Sequence, residues 1–378
     1  MKSSTSKLAT LTSTRPSDID LPHPLVTPVD TKRLLKAKAA YTTRRIPVSD
    51  AGYLISGDII PKPGDLVLAR VDRLGSHSRI ELGNGRRAPL FPGDEIILCY
   101  GHRYAPDQFE GEVPDSLDPC HMVAAGGIAA CAISKHAAKK TATRITPIGL
   151  LGNAHGRPTN LADHALEAKS PEGDLPITIA AVGTSMNAGK TTTAAYLIRG
   201  LVNAGLKVGA AKLTGTGAGG DRWLMTDAGA DLVLDFTDAG FASTHRVSVR
   251  ELERTVTTLM AHLQLAGVDA IVLEVADGLF QEETSALLCS PVFRNSVNGI
   301  IFAAADSMGA ATGANWLYDH DLPVVAISGK LTAAPLAVRE TEGATGLPVM
   351  GLDQLSDASI ADTIRQHLDS CLRRRHTG

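Results

Sequence analysis

The sequence feature that most constrains this chain is the loop Gly-Thr-Ser-Met-Asn-Ala-Gly-Lys-Thr at residues 183–191. The loop follows Ile177–Val182, an apolar run with the length and composition of a buried parallel strand, and it precedes a predicted helix over Thr192–Ala204. A loop in this position directs several backbone N–H groups and the positive end of the helix dipole to one point. The sequence therefore predicts a phosphate-binding loop.

The residue types in this loop suit a polyphosphate with a bound Mg²⁺. Gly183 and Gly189 allow a close backbone approach that a Cβ would obstruct, and Lys190 is placed to reach the β and γ phosphates. The Thr191 hydroxyl is a predicted ligand of the metal ion. Further cofactor contacts are predicted from the rest of the loop and the start of the helix: Thr184, Ser185, Asn187, Ala188 and Thr192.

The spacing of the loop differs from the common phosphate-binding motif, because five residues rather than four separate Gly183 from Gly189. In this it resembles the loop of dethiobiotin synthetase and of the related cobyric-acid and molybdopterin-cofactor P-loop proteins. The septum-site and plasmid-partition ATPases of the same superclass carry a signature lysine where this chain has Ser185, so membership of that branch is not expected. The second half of the chain also resembles a largely uncharacterised P-loop family in which a D-glutamate N-acetyltransferase is found.

Composition limits the class of protein. With 378 residues, 44% hydrophobic and 4% aromatic, the chain is long enough for two or three domains with aliphatic cores. A net charge of −3 predicts no general attraction to nucleic acid or to anionic membranes. The five cysteines are far apart, and no apolar run reaches the roughly 18 residues of a membrane span, so we expect a cytoplasmic protein.

The first half of the chain is predicted to contain a small β-barrel-like domain at residues 45–118, after a flexible lead-in at residues 1–44. Asn84-Gly85 between two alternating runs is a strong hairpin signal. Barrels of this kind often bind oligonucleotides, but these strands have almost no aromatic residues to stack on bases, so no nucleic-acid partner is expected. The predicted strands are Gly52–Ile55, Leu66–Val71, Arg79–Leu82, Arg87–Leu90 and Glu95–Tyr100.

Residues 100–110 concentrate polar and aromatic side chains in a predicted loop. Loops carry function more often than strands do, so His102 and Arg103 are candidate substrate contacts. A surface loop in which Tyr104 and Phe109 pack back onto the barrel is an equally good interpretation of the same residues.

Residues 119–175 are predicted to form a connecting segment. Its small apolar stretch at residues 120–137 is interpreted as a tightly packed helix, or as a glycine-started turn and helix. The glycine pair Gly126-Gly127 lacks a following lysine, so packing is preferred to phosphate binding. A strand is predicted at Arg144–Leu151.

The remaining segment, residues 176–378, alternates apolar strands with helices and predicts an α/β fold, a P-loop parallel sheet with helices on both faces. Ligands of such sheets bind at the carboxyl ends of the strands. The predicted strands are Ile177–Val182, Lys207–Ala211, Leu232–Phe236, Ala270–Val275, Gly299–Ala304, Pro323–Ser328 and Pro348–Gly351.

The second of these strands leads into Lys212, and Asp221 follows after a loop rich in Gly and Thr. In dethiobiotin synthetase the second strand likewise ends in a lysine that meets phosphate or substrate, and a later aspartate helps to hold Mg²⁺. The resemblance implies these roles for Lys212 and Asp221, with a surface aspartate on a disordered loop as the alternative. Thr214 and Thr216 are further candidates for hydroxyl contacts to phosphate.

Glu274 ends a strongly apolar strand, where a carboxylate is costly to bury without a cation or hydrogen-bond donors. We predict that it binds Mg²⁺ opposite the Thr191 hydroxyl, in a stretch that resembles the Val-Glu-Gly of the synthetase family. Asp277 in the next loop is a second acidic candidate, or else it caps that turn. Ser328 ends a strand that commonly reaches the nucleotide base in this superclass. Because no Asn-Lys-x-Asp guanine motif is present, ATP is favoured over GTP.

Three classes of function remain open. The first is a ligase or kinase that uses Mg·ATP to phosphorylate a carboxylate or similar oxyanion, with Lys190, Lys212, Glu274 and Asp277 as the predicted catalytic residues. The second is an acyltransferase that holds the phosphates of acetyl-CoA in the same loop, and the third is a regulatory or metal-delivery NTPase. A small-molecule substrate and a homodimer or higher homo-oligomer are expected, without nucleic-acid or membrane partners.

Overall fold

The computed structural model describes residues 24–366, and strand pairing within that range forms two large sheets. The first sheet has nine strands from the N-terminal half, with a two-stranded hairpin, β5 and β6, beside it. The one α-helix in this half of the described chain is α1 (Thr31–Lys36). The strands are β1 (Leu25–Pro28), β2 (Lys38–Ala39), β3 (Tyr53–Ser56), β4 (Leu66–Arg73), β5 (Arg79–Glu81), β6 (Arg87–Pro89), β7 (Glu95–Tyr100), β8 (Phe109–Glu112), β9 (Cys120–Ala124), β10 (Ile128–Lys135) and β11 (Thr143–Gly152).

Five strands of the first sheet close into a ring. β4 pairs with β7 and β11, β7 pairs with β10, and β9 pairs with both β10 and β11. The β7–β10 pair is parallel and the others are antiparallel, so this is a mixed sheet. The barrel-like architecture is present, but the two predicted strands that flank Asn84-Gly85 form the separate hairpin and take no part in the ring.

The prediction of a helix within residues 120–137 is wrong, because β9 and β10 form an antiparallel hairpin there. Its small residues are required by close packing. A Cβ on Gly126 would lie 2.0 Å from the carbonyl oxygen of Gly217. Gly127 has a φ of +103°, and a Cβ there would lie 2.0 Å from the Cβ of Ala40. The segment predicted as a connector therefore contributes β9, β10 and β11 to the first sheet.

The predicted lead-in, residues 1–44, is described only from residue 24, and residues 1–23 lie outside the described range. Its described part forms β1, α1 and β2 and buries Leu34 and Tyr41 almost completely. Burial of large apolar side chains packs this part against the sheet, while flexibility of the lead-in stays a prediction.

The second sheet has six parallel strands in the order β14-β13-β15-β12-β16-β17. Its strands are β12 (Ile177–Gly183), β13 (Val208–Lys212), β14 (Leu232–Asp235), β15 (Ala270–Glu274), β16 (Gly299–Ala303) and β17 (Val324–Ser328). The helices are α2 (Lys190–Asn203), α3 (Gly220–Asp227), α4 (Val249–Leu265), α5 (Glu282–Leu288), α6 (Pro291–Ser296), α7 (Ser307–Asp319), α8 (Pro335–Thr345) and α9 (Leu352–Ser356). None of the described helices is both long and apolar enough to cross a lipid bilayer.

Alternation along the strands decides which helices cover each face of this sheet. On β12, Ala180 and Val182 belong to the core formed with α4 to α7, whereas Ile179 and Ala181 belong to the core formed with α2 and α9. Because successive side chains point to opposite faces, a strand covered on both faces is apolar along its whole length. The predicted α/β class, with helices on both faces of a parallel sheet, is confirmed.

The seventh predicted strand of this half, Pro348–Gly351, is wrong as a strand. It forms a single parallel bridge, between Val349 and Ile327, because the chain enters α9 at Leu352.

The strand order places β12 between β15 and β16, so the loop at residues 183–191 emerges beside the carboxyl ends of both neighbours.

Candidate nucleotide site

The loop at residues 183–191 leads from β12 into α2, which begins at Lys190. Gly189 has a φ of +110°, and a Cβ there would lie 3.0 Å from the Cα of Gly329. The Lys190 side chain is buried, and its Nζ donates to the carbonyl oxygen of Ser185 at 2.7 Å. The loop backbone is therefore wrapped around a lysine ammonium, the arrangement expected of a phosphate cradle.

Thr191 and Glu274 meet at the bottom of this cradle. The Thr191 Oγ1 donates to Glu274 Oε1 at 2.7 Å, while Glu274 Oε2 is buried and has no hydrogen-bond partner within residues 24–366. Burial raises the pKa of Glu274 above its ordinary value, although the nearby Lys212 ammonium acts in the opposite direction. A hydroxyl and a carboxylate with an unpartnered oxygen are ligands that Mg²⁺ accepts, so these residues fit the predicted metal ion.

Lys212 and Asp221 form an ion pair beside Glu274. Burial lowers the pKa of Lys212, but the charges of Asp221 and Glu274 outweigh burial and raise it. Asp221 lies in the first turn of α3 and also raises the pKa of Glu274. The structure thus brings Lys212, Asp221, Glu274 and Thr191 to one edge of the sheet. Metal binding by Asp221, whose carboxylate holds Lys212, stays a prediction.

Asp277 lies in the loop after β15, where it is buried with a φ of +67°. A non-glycine residue in this left-handed region is strained, and such strain clusters at functional sites. Burial raises the pKa of Asp277 above its ordinary value, although the charges of Lys190, Lys212 and His245 act in the opposite direction. The next residue, Gly278, packs so closely on the phosphate loop that a Cβ would lie 2.2 Å from the Thr184 carbonyl oxygen. Asp277 is thereby held close to the cradle.

Ser328 is completely buried, and its Oγ donates to the carbonyl oxygen of Met350 at 2.8 Å. Its hydroxyl is therefore used inside the protein, and its predicted cofactor contact stays untested. The turn that follows contacts the phosphate loop instead, because the Lys330 N–H donates to the Ala188 carbonyl oxygen at 3.0 Å.

Two further hydroxyls predicted to contact phosphate are placed in the loop after β13. Thr214 Oγ1 accepts from the backbone N–H of Ala276 at 2.9 Å, which ties that loop to the one after β15. Thr216 forms a backbone bridge with Ser243. The Thr214 hydroxyl thus has a structural role that its sequence position does not indicate.

Sequence reasoning missed the contacts that the N-terminal half makes at this edge. Asn187 in the phosphate loop donates from Nδ2 to Asp107 Oδ2 at 3.0 Å. The rings of Tyr104 and His245 lie in a tilted contact with centroids 5.7 Å apart, and His245 Nδ1 lies 3.1 Å from Glu283 Oε1. The polar character of residues 100–110 was the only signal for these contacts, and nothing local pointed to His245 or Glu283.

A cavity of about 470 Å³ lies where the two halves meet. It borders the nucleotide site through His245, whose charge acts on Asp277. The candidate His102 lines this cavity, and burial lowers the pKa of its imidazole. Polar side chains along its wall include Asn160, Ser243, Arg246, Arg254 and Thr258.

Comparison with known proteins gives one family match. Residues 178–286, under a third of the chain, match the family described as "Molybdopterin guanine dinucleotide synthesis protein B". No curated protein matches the chain. Among solved structures, the signal recognition particle receptor FtsY from Elizabethkingia anophelis is 16% identical, with 55% of this chain and 70% of that chain covered and a TM-score of 0.36.

Two other solved structures are similar at the same level. A DUF1611 family protein from Anabaena variabilis is 16% identical over 53% of this chain and 63% of that chain, with a TM-score of 0.36. A ParA family ATPase from Chlorobium tepidum is 11% identical over 53% of this chain and 99% of that chain, with a TM-score of 0.32. The parallel sheet, the phosphate loop between β12 and α2 and the family match together give the C-terminal half the P-loop NTPase fold.

Proposed function

We propose that this protein is an enzyme that binds Mg·ATP at the loop of residues 183–191 and transfers the terminal phosphoryl group to an oxyanion of a small molecule. The Glu274 carboxylate carries the proposal. It is 1% exposed, one oxygen accepts the Thr191 hydroxyl, and the other has no partner among the described residues. A buried carboxylate in this state is stabilised by a cation, which Mg²⁺ with a nucleotide supplies.

The roles of the surrounding residues follow from their charges. Lys190 and the backbone N–H groups of the loop hold the β and γ phosphates, while Thr191, Glu274 and Asp221 are the candidate metal ligands. Bound Mg²⁺ neutralises charge on the phosphates. Lys212 lies at the neighbouring strand end, where its ammonium is placed to stabilise negative charge that shifts during transfer.

We assign the acceptor to the cavity of about 470 Å³ between the two halves. This volume suits a small molecule. Arg246 is paired with Glu112 and Glu251 also lines the wall, so Arg254 is the residue whose positive charge favours an acceptor with a carboxylate. His245 lines the cavity, and Glu283 orients its imidazole through Nδ1.

The test is a parallel assay of ADP, GDP and free thiol. The purified protein is incubated with Mg·ATP, Mg·GTP or acetyl-CoA, each with and without a panel of small carboxylates and amino acids, and K190A serves as the inactive control. ADP that accumulates in step with a phosphorylated product, and only with the correct acid, supports the proposal. Thiol release without ADP indicates an acyltransferase, and acid-independent hydrolysis indicates a regulatory NTPase. Either result rejects the proposed transfer.

A further inference from the structure

The N-terminal half has a buried arginine, Arg103, in a loop that contacts the phosphate loop. Arg103 lies between β7 and β8, and only 5% of the residue is exposed to solvent. Its backbone N–H donates to the Gly111 carbonyl oxygen at 2.8 Å, and the Gly111 N–H donates back at 3.0 Å. This pair of hydrogen bonds holds the residue in a defined position against β8.

The guanidinium of Arg103 is incompletely paired. Nη2 donates to Gln108 Oε1 at 2.9 Å, and the same oxygen lies 3.1 Å from His77 Nε2. Nε and Nη1 are buried without a hydrogen-bond partner, and no ion pair to a carboxylate is formed within the described range. Burying a charge without a close counter-ion is unfavourable, so this guanidinium has capacity for an anion.

Its neighbours connect Arg103 to the nucleotide site. Asp107, four residues along the same loop, accepts the side-chain amide of Asn187 from the phosphate loop. The pKa of Arg103 is lowered to about 10. Burial is the cause, and the nearby charges of Asp107 and Asp277 act in the opposite direction. Asp277 is the residue held against the cradle by the close packing of Gly278 on Thr184. Arg103 therefore stands where the loop after β7 covers the phosphate loop.

We propose that Arg103 binds the terminal phosphate of the nucleoside triphosphate held by the loop of residues 183–191. The N-terminal half would thus supply a cation to a site whose lysines, Lys190 and Lys212, come from the C-terminal half. Nε and Nη1 are the free donors, and arginine donors suit phosphate oxygens. This inference rests on the nucleotide site of the proposed function, but it does not depend on the acceptor or on the transfer reaction.

A structural role for Arg103 makes a different prediction. If the guanidinium serves to neutralise Asp107 and Asp277, its replacement by an apolar side chain removes a cation near the half-buried Asp107 and the buried Asp277 and destabilises the protein. If it serves a phosphate, the same replacement removes an unpaired buried charge, and the nucleotide-free protein keeps or gains stability. Thermal unfolding without nucleotide therefore separates the two roles.

The experiment compares R103M and R103K with wild type and with R70M, a matched change at an exposed arginine of β4 that pairs with Asp72. Calorimetry gives the affinities for Mg·ATP and Mg·ADP. We expect R103M to weaken Mg·ATP binding by about tenfold or more, the effect of losing a charged hydrogen bond, and to leave Mg·ADP binding unchanged. R103K should fall between wild type and R103M, and R70M should match wild type.

Equal loss of Mg·ATP and Mg·ADP affinity in R103M, or an unchanged preference for ATP, overturns the inference. A lower unfolding temperature of nucleotide-free R103M with no change in ATP preference assigns Arg103 to structure. If R103M does not fold, the ATP-to-ADP affinity ratio of R103K decides in the same way. If neither wild type nor R70M binds any nucleotide, the nucleotide site itself is rejected, and this inference with it. That case is distinct because every other outcome requires wild type to bind nucleotide.

Discussion

The molecule contains two clusters of buried charge that differ in how completely their atoms are paired. The interface cluster is defined as Tyr41, Arg44, Arg222, Asp235 and Asp238. Asp238 accepts from Arg44 at 2.6 Å and from Arg222 at 3.0 Å, and Asp235 accepts from the Tyr41 hydroxyl. Although burial raises the pKa of Asp235, Arg44 and its hydrogen bonds hold that pKa below its usual value. No buried polar atom of this cluster lacks a partner within residues 24–366.

The nucleotide-site cluster is defined as Lys190, Lys212, Asp221, Glu274 and Asp277. It also lies at strand ends of the second sheet, but Glu274 Oε2 has no partner among the described residues. The same is true of Nε and Nη1 of Arg103, in the loop between β7 and β8. The contrast supports different roles for the two clusters. Charges that satisfy one another hold the two halves together, whereas the unpartnered atoms at the nucleotide site are the ones that the proposed ligand would satisfy.

Breaking the interface cluster should have the largest effect on stability. Asp238→Ala leaves the half-buried Arg222 without this partner and leaves Arg44 with its 3.3 Å contact to Asp235, so we expect the free energy of unfolding to fall by about 3 kcal/mol. Urea denaturation measures this loss. D362A removes an exposed aspartate that pairs with Arg365 and should change stability by less than about 0.5 kcal/mol. Weaker Mg·ATP binding by the folded D238A protein would contradict the separation of the two clusters.

Removing the loop lysine should strongly weaken nucleotide binding without unfolding the protein. Lys190→Ala deletes the ammonium inside the cradle, and we expect the affinity for Mg·ATP to fall by about 100-fold, which corresponds to roughly 3 kcal/mol. Calorimetry measures the affinity, and thermal unfolding confirms the fold. K169A, at an exposed lysine that pairs with Glu167, should bind like wild type. Unchanged ATP affinity in K190A would reject the P-loop as the nucleotide site.

The metal role of the carboxylate can be isolated by an isosteric change. Glu274→Gln keeps a hydrogen bond from Thr191 but removes the charge, so we expect the increase in ATP affinity caused by Mg²⁺ to be lost, together with turnover, while metal-free ATP binding is nearly unchanged. Titrations with and without Mg²⁺ measure this. E340Q, at an exposed glutamate of α8, is the control. Equal weakening in both titrations would assign Glu274 to structure.

The smallest expected effect concerns His77. Its Nε2 lies within hydrogen-bond distance of Gln108 Oε1, the oxygen that accepts from Arg103. Burial lowers the pKa of His77 to about 4, from an ordinary value of 6.5. The unfolded chain therefore binds a proton at this residue below about pH 6.5, whereas the folded protein does so only near pH 4, and stability is lost as pH falls through that window.

His77→Gln should reduce this acid sensitivity by on the order of 1 kcal/mol between pH 7 and pH 4.5, after allowance for the partial exposure of the ring. Urea denaturation of wild type and H77Q at the two pH values measures the difference. H155Q, at an exposed histidine, should follow wild type. Identical pH dependence in H77Q and wild type would show that His77 titrates normally in the folded protein.

The sequence was most informative where structure is local. The strands of the second sheet are continuous apolar runs, and the loop after β12 carries its function in consecutive residues, so both could be predicted. Residues 120–137 were misinterpreted because small residues suit a tight helix and a tight hairpin equally well. The difference lies in contacts with Ala40 and Gly217, which are far away in sequence.

Pairing across the two halves could not be predicted at all. Tyr41 and Asp235 are 194 residues apart, and no periodicity connects them. Arg103 was a candidate because of its loop, but its significance depends on the absence of partners around Nε and Nη1, which only coordinates can show. The same holds for the free oxygen of Glu274.

A crystal structure with Mg²⁺ and a non-hydrolysable ATP analogue tests the central claim most directly. We expect the phosphates within the loop of residues 183–191, a metal ion in contact with Thr191 and Glu274, and Arg103 at the terminal phosphate. An analogue bound elsewhere, or bound in the loop with the Thr191–Glu274 hydrogen bond intact and no metal beside it, would contradict the account.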